Sequence, residues 1–286
     1  MAHRVFVLFL IVVSLTAILA VGFHGAAYYL TPVHLRPFRA DYETMKPSGD
    51  YSHGLGIIGA SLIIIGVSTY STRKRMRMLW KLGKLSRWLE FHITVCLLGP
   101  ILVIFHTTFK AGGVASISLW TMLSVAASGV IGRFLYVQIP RNIQGGELTA
   151  TQIDGELDRL GTVLSSTPVG AAMMKGIDER FSAYRRPETL TQAIGGFFHL
   201  HSIRKSVKSS VIQYVRQGAL SRHQARQLYK TAAARALLLQ KTLALSQVEK
   251  LFYYWHAVHL PFTVIMFLTL AAHVVVTVLL GYRWIL

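Results

Sequence analysis

Two pairs of histidines carry the chemistry that this sequence can do. His92 and His106 lie in WLEFHITVCLLGPILVIFHTTF, residues 88–109, and His259 and His273 lie in LFYYWHAVHLPFTVIMFLTLAAHVVVTVLLGYRW near the C-terminus. Both pairs are fourteen positions apart. In an α-helix that spacing puts the two imidazoles about 21 Å apart along the axis and within about 40° of one face. Each helix would therefore offer two metal-binding nitrogens at two different depths. The only cysteine, Cys96, excludes a CxxCH haem attachment site, an all-cysteine iron–sulfur cluster, a zinc ribbon and an intramolecular disulfide. Any redox or metal chemistry has to come from histidine, or from a cofactor held without thiolates.

The elements that position these residues read as membrane helices. Of 286 residues, 52% are hydrophobic and 15% charged, against about a quarter charged in soluble domains. Apolar stretches at about 5–30, 51–71, 88–109, 115–138 and 252–282 all exceed the roughly 18 residues that a span requires. The first follows a short basic start like a secretory signal, but its apolar region is too long, and it reads as a retained helix. The net charge of +18 sits between the apolar runs rather than on a nucleic-acid face. Segment 71–90 holds Arg73, Lys74, Arg75, Arg77, Lys81, Lys84 and Arg87 against Glu90, whereas 31–50 balances three basic with three acidic residues. The positive-inside rule places 72–87 and the N-terminus in the cytoplasm and 31–50 outside. The third and fifth spans then both run outward.

The expected fold class is all-α: a polytopic membrane helix bundle with five transmembrane helices and a helical cytoplasmic insert. Residues 1–138 hold spans one to four, 139–250 the insert, and 251–286 the fifth span with a short outer tail. The insert carries sixteen basic and eight acidic residues. A capping box at Thr151–Asp154, a helix start at Thr167-Pro168, and a stop and restart at Gly218 and Ser221 divide it, and its last helix is expected to run straight into the fifth span. The compartment expected is a bacterial-type inner membrane, with the C-terminus outside.

Because both histidine-bearing helices run outward, His259 matches the depth of His92, and His273 that of His106. A flat macrocycle whose iron takes one nitrogen above and one below fits between each pair. This gives His92–His259 for an inner haem and His106–His273 for an outer one. The repeated HxxxxxxxxxxxxxH on two helices resembles the di-haem core of ferric reductases and NADPH oxidases, and shares its logic with the b cytochromes of quinol-oxidising complexes. The resemblance covers 51–138 and 252–282. It implies two b-type haems stacked across the membrane, with electrons passing between them. Those reductases carry a flavin and nicotinamide domain after the last helix, whereas about four residues follow the span here. HLPF at His259 is similar to their HPFT, but it lies inside a membrane helix and reads as coincidence.

Several other residues have a functional and a structural reading. Gly99, beside Pro100 and midway between His92 and His106, lets either a macrocycle edge or a neighbouring helix approach. Pro261 is equally ambiguous. Arg133, a charge in the inner third of the fourth span, either pairs with a propionate of the inner haem or snorkels to the headgroups. His24 and His53, near the outer ends of the first two spans, are interfacial histidines or ligands to a third haem, a metal or a quinone. His256, one turn before His259, is a candidate propionate partner or alternative ligand. His199 and His201 read as solvated. GLGIIG at 54–59 has the letters of a dinucleotide fingerprint, but it opens a span, where small residues serve helix contact.

The expected function is electron transfer across the bilayer by a di-haem b subunit of a larger oxidoreductase complex, not a complete enzyme. Membrane lipid, a separate redox protein or quinol as donor, and an outer-side cytochrome or other acceptor are the expected partners; nucleic acid is not. The basic insert reads by default as a solvated, topology-setting face, and alternatively as a face for anionic lipid or an acidic redox protein. The competing class is a histidine-lined transition-metal transporter using His24, His53, His106 and His273. The lack of intramembrane carboxylates counts against it.

Overall fold

The computed structural model describes residues 2–113, 116–140, 149–182, 209, 211–213 and 221–281, and among these the regular structure is entirely helical. The helices are α1 (Ala2–Tyr29), the short α2 (Tyr42–Met45), α3 (Asp50–Arg75), α4 (Leu85–His106), α5 (Ser116–Gln138), α6 (Ala150–Ser165), α7 (Pro168–Ser182) and α8 (Arg222–Leu279). Five helical stretches are long and apolar enough to cross a bilayer: His3–Tyr29, Tyr42–Arg75, Leu85–His106, Ser116–Gln138 and Val248–Leu279. Their outward faces are apolar: Phe23 of α1 is 78% exposed and Leu268 of α8 is 65% exposed. That much unpartnered hydrocarbon suits lipid rather than water.

The chain divides into two compact units, Met1–Gly132 with Trp255–Leu286, and Arg133–Tyr254. In the first, Ile63, Val103, Leu119, Met122, Met266 and Leu270 pack into one core, so α3, α4, α5 and α8 each contribute. Helices α3 and α4 run antiparallel with their backbones in close contact. A methyl placed on Gly59 or on Gly99 would lie 2.7 Å from the other's carbonyl oxygen, so only glycine fits on either side. Gly99 thus serves a helix contact, and Pro100 is buried within α4 without ending it. Pro261 likewise lies inside the continuous α8. Helices α5 and α8 are also antiparallel, linked by Thr121 and Thr269 (Oγ1···Oγ1 3.1 Å) and by Trp255 Nε1–H donating to the Ser128 carbonyl (2.7 Å).

A buried arginine secures the end of this unit where α1 and α4 finish. Arg36 is 5% exposed and donates to the carbonyls of Tyr29 (3.0 Å), Thr31 (2.9 Å) and Thr108 (2.8 Å). It therefore satisfies the last carbonyl of α1 and carbonyls just beyond the ends of α1 and α4, near the negative ends of their dipoles. Helix α4 closes in a Schellman motif, with Phe109 N–H bonding Ile104 O and Thr108 N–H bonding Phe105 O. Glycine usually takes the left-handed position in this motif, but here Thr108 and Phe109 hold φ of 52° and 63°. Such backbone costs on the order of 1–3 kcal/mol per residue and persists only where neighbours enforce it. Arg36, bonded to the Thr108 carbonyl, is one such neighbour. At the opposite end, Arg73 is buried and donates to the carbonyls of Trp80 and Gly83, shaping the basic turn between α3 and α4.

The second unit has its own core, in which Leu164, Met173, Ile177 and Phe181 pack against Ala225, Ala232 and Ala236 of α8. Arg235 joins three helices, donating to Asp178 at 3.1 Å and to the Leu157 carbonyl at 2.6 Å. Helix α6 begins with a capping box formed by Thr149 and Gln152, two residues before the expected Thr151–Asp154. Both threonines fit the motif by letter, and the one preceding the first helical residue takes the role. Thr167 caps α7 through Gly170 N–H, and Ser221 with Gln224 caps α8, which continues without a break through Leu279. Gly218, His199 and His201 lie outside the described residues.

Replacing Arg36 with methionine leaves the buried Thr108 carbonyl and the half-buried carbonyls of Tyr29 and Thr31 without this donor. It should lower stability by about 3 kcal/mol or more, seen as a lower thermal unfolding midpoint in detergent, with Arg36→Lys recovering part of the loss. An unchanged midpoint for R36M would show that water already serves these carbonyls.

Candidate functional site

The four candidate ligands stand at two ends of the α3–α4–α5–α8 core. At one end, α4 and α8 turn His106 and His273 into a single cavity of about 670 Å³, within the range of about 300–1,000 Å³ typical of ligand sites. At the other end, α4 carries His92 and α8 carries His259.

In three of the four, the hydrogen bonding also sets which ring nitrogen is open. The Nδ1 of His92 is 3.0 Å from the Gly66 carbonyl, and the Nδ1 of His106 is 2.9 Å from the Ser52 carbonyl. A carbonyl oxygen only accepts, so both rings carry their proton on Nδ1 and leave the Nε2 lone pair unprotonated. The Nδ1 of His259 meets Ser128 Oγ at 2.6 Å. That hydroxyl already donates to the Val125 carbonyl at 2.8 Å, so it accepts from His259, again freeing Nε2. Metal-bound histidines are characteristically held in this way, with the distal N–H given to the protein.

Packing fixes the ring planes. His92 stacks on Tyr70 (centroids 5.1 Å, 26°) and His259 on Trp255 (4.8 Å, 26°). Gly56 makes room for His106, because a methyl there would come within 2.9 Å of the ring. Gly132 makes room for the Trp255 indole in the same way. Ser52 is itself anchored, its hydroxyl donating to the Met45 carbonyl at 2.6 Å. The glycines of GLGIIG therefore serve helix and ring contacts, Gly56 to His106 and Gly59 to Gly99.

The cavity around His106 and His273 is amphipathic. Ala60, Val103, Leu119, Met122 and Leu270 form its apolar wall, while Thr107, Lys110 and Ser116 bring polar groups to it. His53 lines it too, its ring 6.1 Å from that of His106 and nearly edge-on.

The remaining candidates are placed elsewhere. His24 is exposed and leans on Tyr51 of α3, 4.6 Å between centroids, so it does not share the cavity with His53, His106 and His273. His256 is exposed beside Trp255. Arg133 opens the second unit, its guanidinium 5.7 Å from the centre of the Tyr136 ring. Among the described residues, no group of three or more histidine, cysteine, aspartate or glutamate side chains converges as a metal-ion site. A site made by two imidazoles falls below that number. Sequence reasoning did not single out Ser128, Gly56, Tyr70, Trp255 or Lys110. Only the glycine of GLGIIG and the Ser128-Gly129 pair of SGVIGR carried a local signal, as small residues inside a span.

No protein-family model, curated protein or solved structure matches the chain.

A larger side chain at Gly56 should push the His106 ring off the Ser52 carbonyl. In ¹⁵N NMR of imidazole-labelled, haem-free chain, Gly56→Val should move His106 out of the Nδ1–H tautomer and leave His259 unchanged. A His106 signal identical to that of the parent chain would contradict the packing described.

Proposed function

We propose that this chain is an integral-membrane di-haem b-type cytochrome that carries electrons across the bilayer. The observation that carries the proposal is the commitment of Nδ1 to a protein acceptor in His92, His106 and His259, which leaves Nε2 of each available as a metal ligand. The matched placement of the two pairs at opposite ends of the core supports it, as does the cavity that His106 and His273 share. His92 and His259 would hold one haem, and His106 and His273 the other. Bound haem supplies a one-electron couple whose potential depends on its axial ligands and surroundings.

The protein's own part is to hold and insulate. Tyr70 and Trp255 keep the imidazoles of one pair in plane, Gly56 and Ser52 seat His106, and the apolar cavity wall keeps water from the outer site. The carbonyl acceptors of His92 and His106 raise the basicity of Nε2 and so strengthen its donation to iron. On the positive-inside argument, the Arg- and Lys-rich turn between α3 and α4 and the 139–250 insert face the cytoplasm, and the His106–His273 cavity lies toward the outer side. Electrons would then be exchanged with a separate redox protein or quinol on one side and an outer-side cytochrome or other acceptor on the other, within a larger complex.

The three histidines on one cavity favour a second reading, in which the cavity passes a transition-metal ion. The exposed position of His24 weakens that path.

Reduced-minus-oxidised spectra with pyridine haemochrome quantification separate the two readings. The proposal expects two b-type haems per chain. His106→Ala and His273→Ala should each lose the same haem, and His92→Ala and His259→Ala the other. Folded chain that takes up no haem when haem is supplied would sink the proposal and favour metal transport.

A further inference from the structure

Lys110 stands at the His106–His273 cavity, four residues beyond His106 and past the left-handed cap of α4. It is exposed, and among the described residues lining the cavity it is the charged one. Ser116, from the start of α5, and Thr107, from the end of α4, accompany it, whereas Leu119, Met122 and Leu270 form the apolar wall. A cavity of this kind suits an occupant that is flat and apolar over most of its surface and anionic at one edge.

Resting on the di-haem reading, we infer that Lys110 anchors a propionate of the outer haem and thereby sets which edge of the macrocycle faces the cavity mouth. Burying the macrocycle against the apolar wall turns its two carboxylates toward the polar groups. The ammonium supplies a charge-assisted hydrogen bond there, whereas Ser116 and Thr107 already give their hydroxyl protons to the Gly113 and Ile104 carbonyls. The Schellman turn at Thr108 and Phe109 reverses the chain after α4, and this brings Lys110 back over the cavity instead of letting it continue along the helix axis. Arg36, bonded to the Thr108 carbonyl, is a positioning residue for that turn.

The charge has an electrochemical consequence. Reduction adds an electron to the haem, and a nearby cation favours the more negative state. Removing the Lys110 charge therefore lowers the outer midpoint potential and leaves the inner one in place. Because the lysine is exposed, the shift shrinks as ionic strength rises.

Potentiometric titration of the full haem-loaded chain tests this, with Lys110→Gln, Lys110→Arg, and Lys110→Gln combined with His273→Ala. The expected result is that one of two midpoints falls in K110Q, recovers in K110R, and shows a smaller difference at high salt. In the His273→Ala background, where only the inner haem remains, K110Q should have no effect. If K110Q retains both haems and neither midpoint moves, the assignment of Lys110 is overturned while the di-haem reading stands. Equal movement of both midpoints also overturns it, because the lysine would then act as part of a general surface field. A parent chain without haem overturns the di-haem reading, and this assignment with it.

Discussion

An imidazole N–H packed among apolar helices has to be given an acceptor, and much of the unit built from α1, α3, α4, α5 and the end of α8 follows from that requirement. His92 and His106 can reach the carbonyls of Gly66 and Ser52 only because α3 lies hard against α4. That approach depends on Gly59 and Gly99 facing each other with no side chain between them. Both carbonyls belong to α3, so one helix orients both imidazoles of its neighbour. On the other side of the core, a serine does the same task for His259. Satisfying the N–H is also what leaves the other ring nitrogen open, so packing and ligand chemistry are one arrangement.

The two ends of this unit are held by buried arginines acting on carbonyls rather than on carboxylates. Arg36 gathers the ends of α1 and α4, and Arg73 shapes the basic turn between α3 and α4. Each replaces water at helix ends with a fixed donor array, at little conformational cost because the guanidinium fork is planar. The cap of α4 also accepts left-handed backbone at two non-glycine residues, and Lys110 and Gly112 beyond it line the His106–His273 cavity.

Much of this could be read in the sequence where the governing rule is local. Span length, charge balance and the fourteen-residue spacing are arithmetic on a single helix, as is the unbroken passage of α8 from the insert into its apolar stretch. The capping box was misplaced by two residues because Thr149 and Thr151 both satisfy its spelling, and only the backbone decides which residue precedes the helix. What escaped was set by register between helices. Ser128 is one of several hydroxyls in SGVIGRFLYVQ and its surroundings, and nothing in the letters pairs it with His259. Arg36 looked like part of a neutral loop, because its partners are backbone carbonyls that no composition count reveals. Gly99 had two readings, and the choice needed Gly59, forty residues away, to be seen opposite it.

The central claim is axial coordination by paired imidazoles, and low-temperature electron paramagnetic resonance of the oxidised, haem-loaded chain tests it most directly. The account predicts low-spin ferric signals characteristic of bis-imidazole coordination, with one component lost in His106→Ala and a different one in His92→Ala. A dominant high-spin ferric signal, or a low-spin signal untouched by all four histidine replacements, would contradict it.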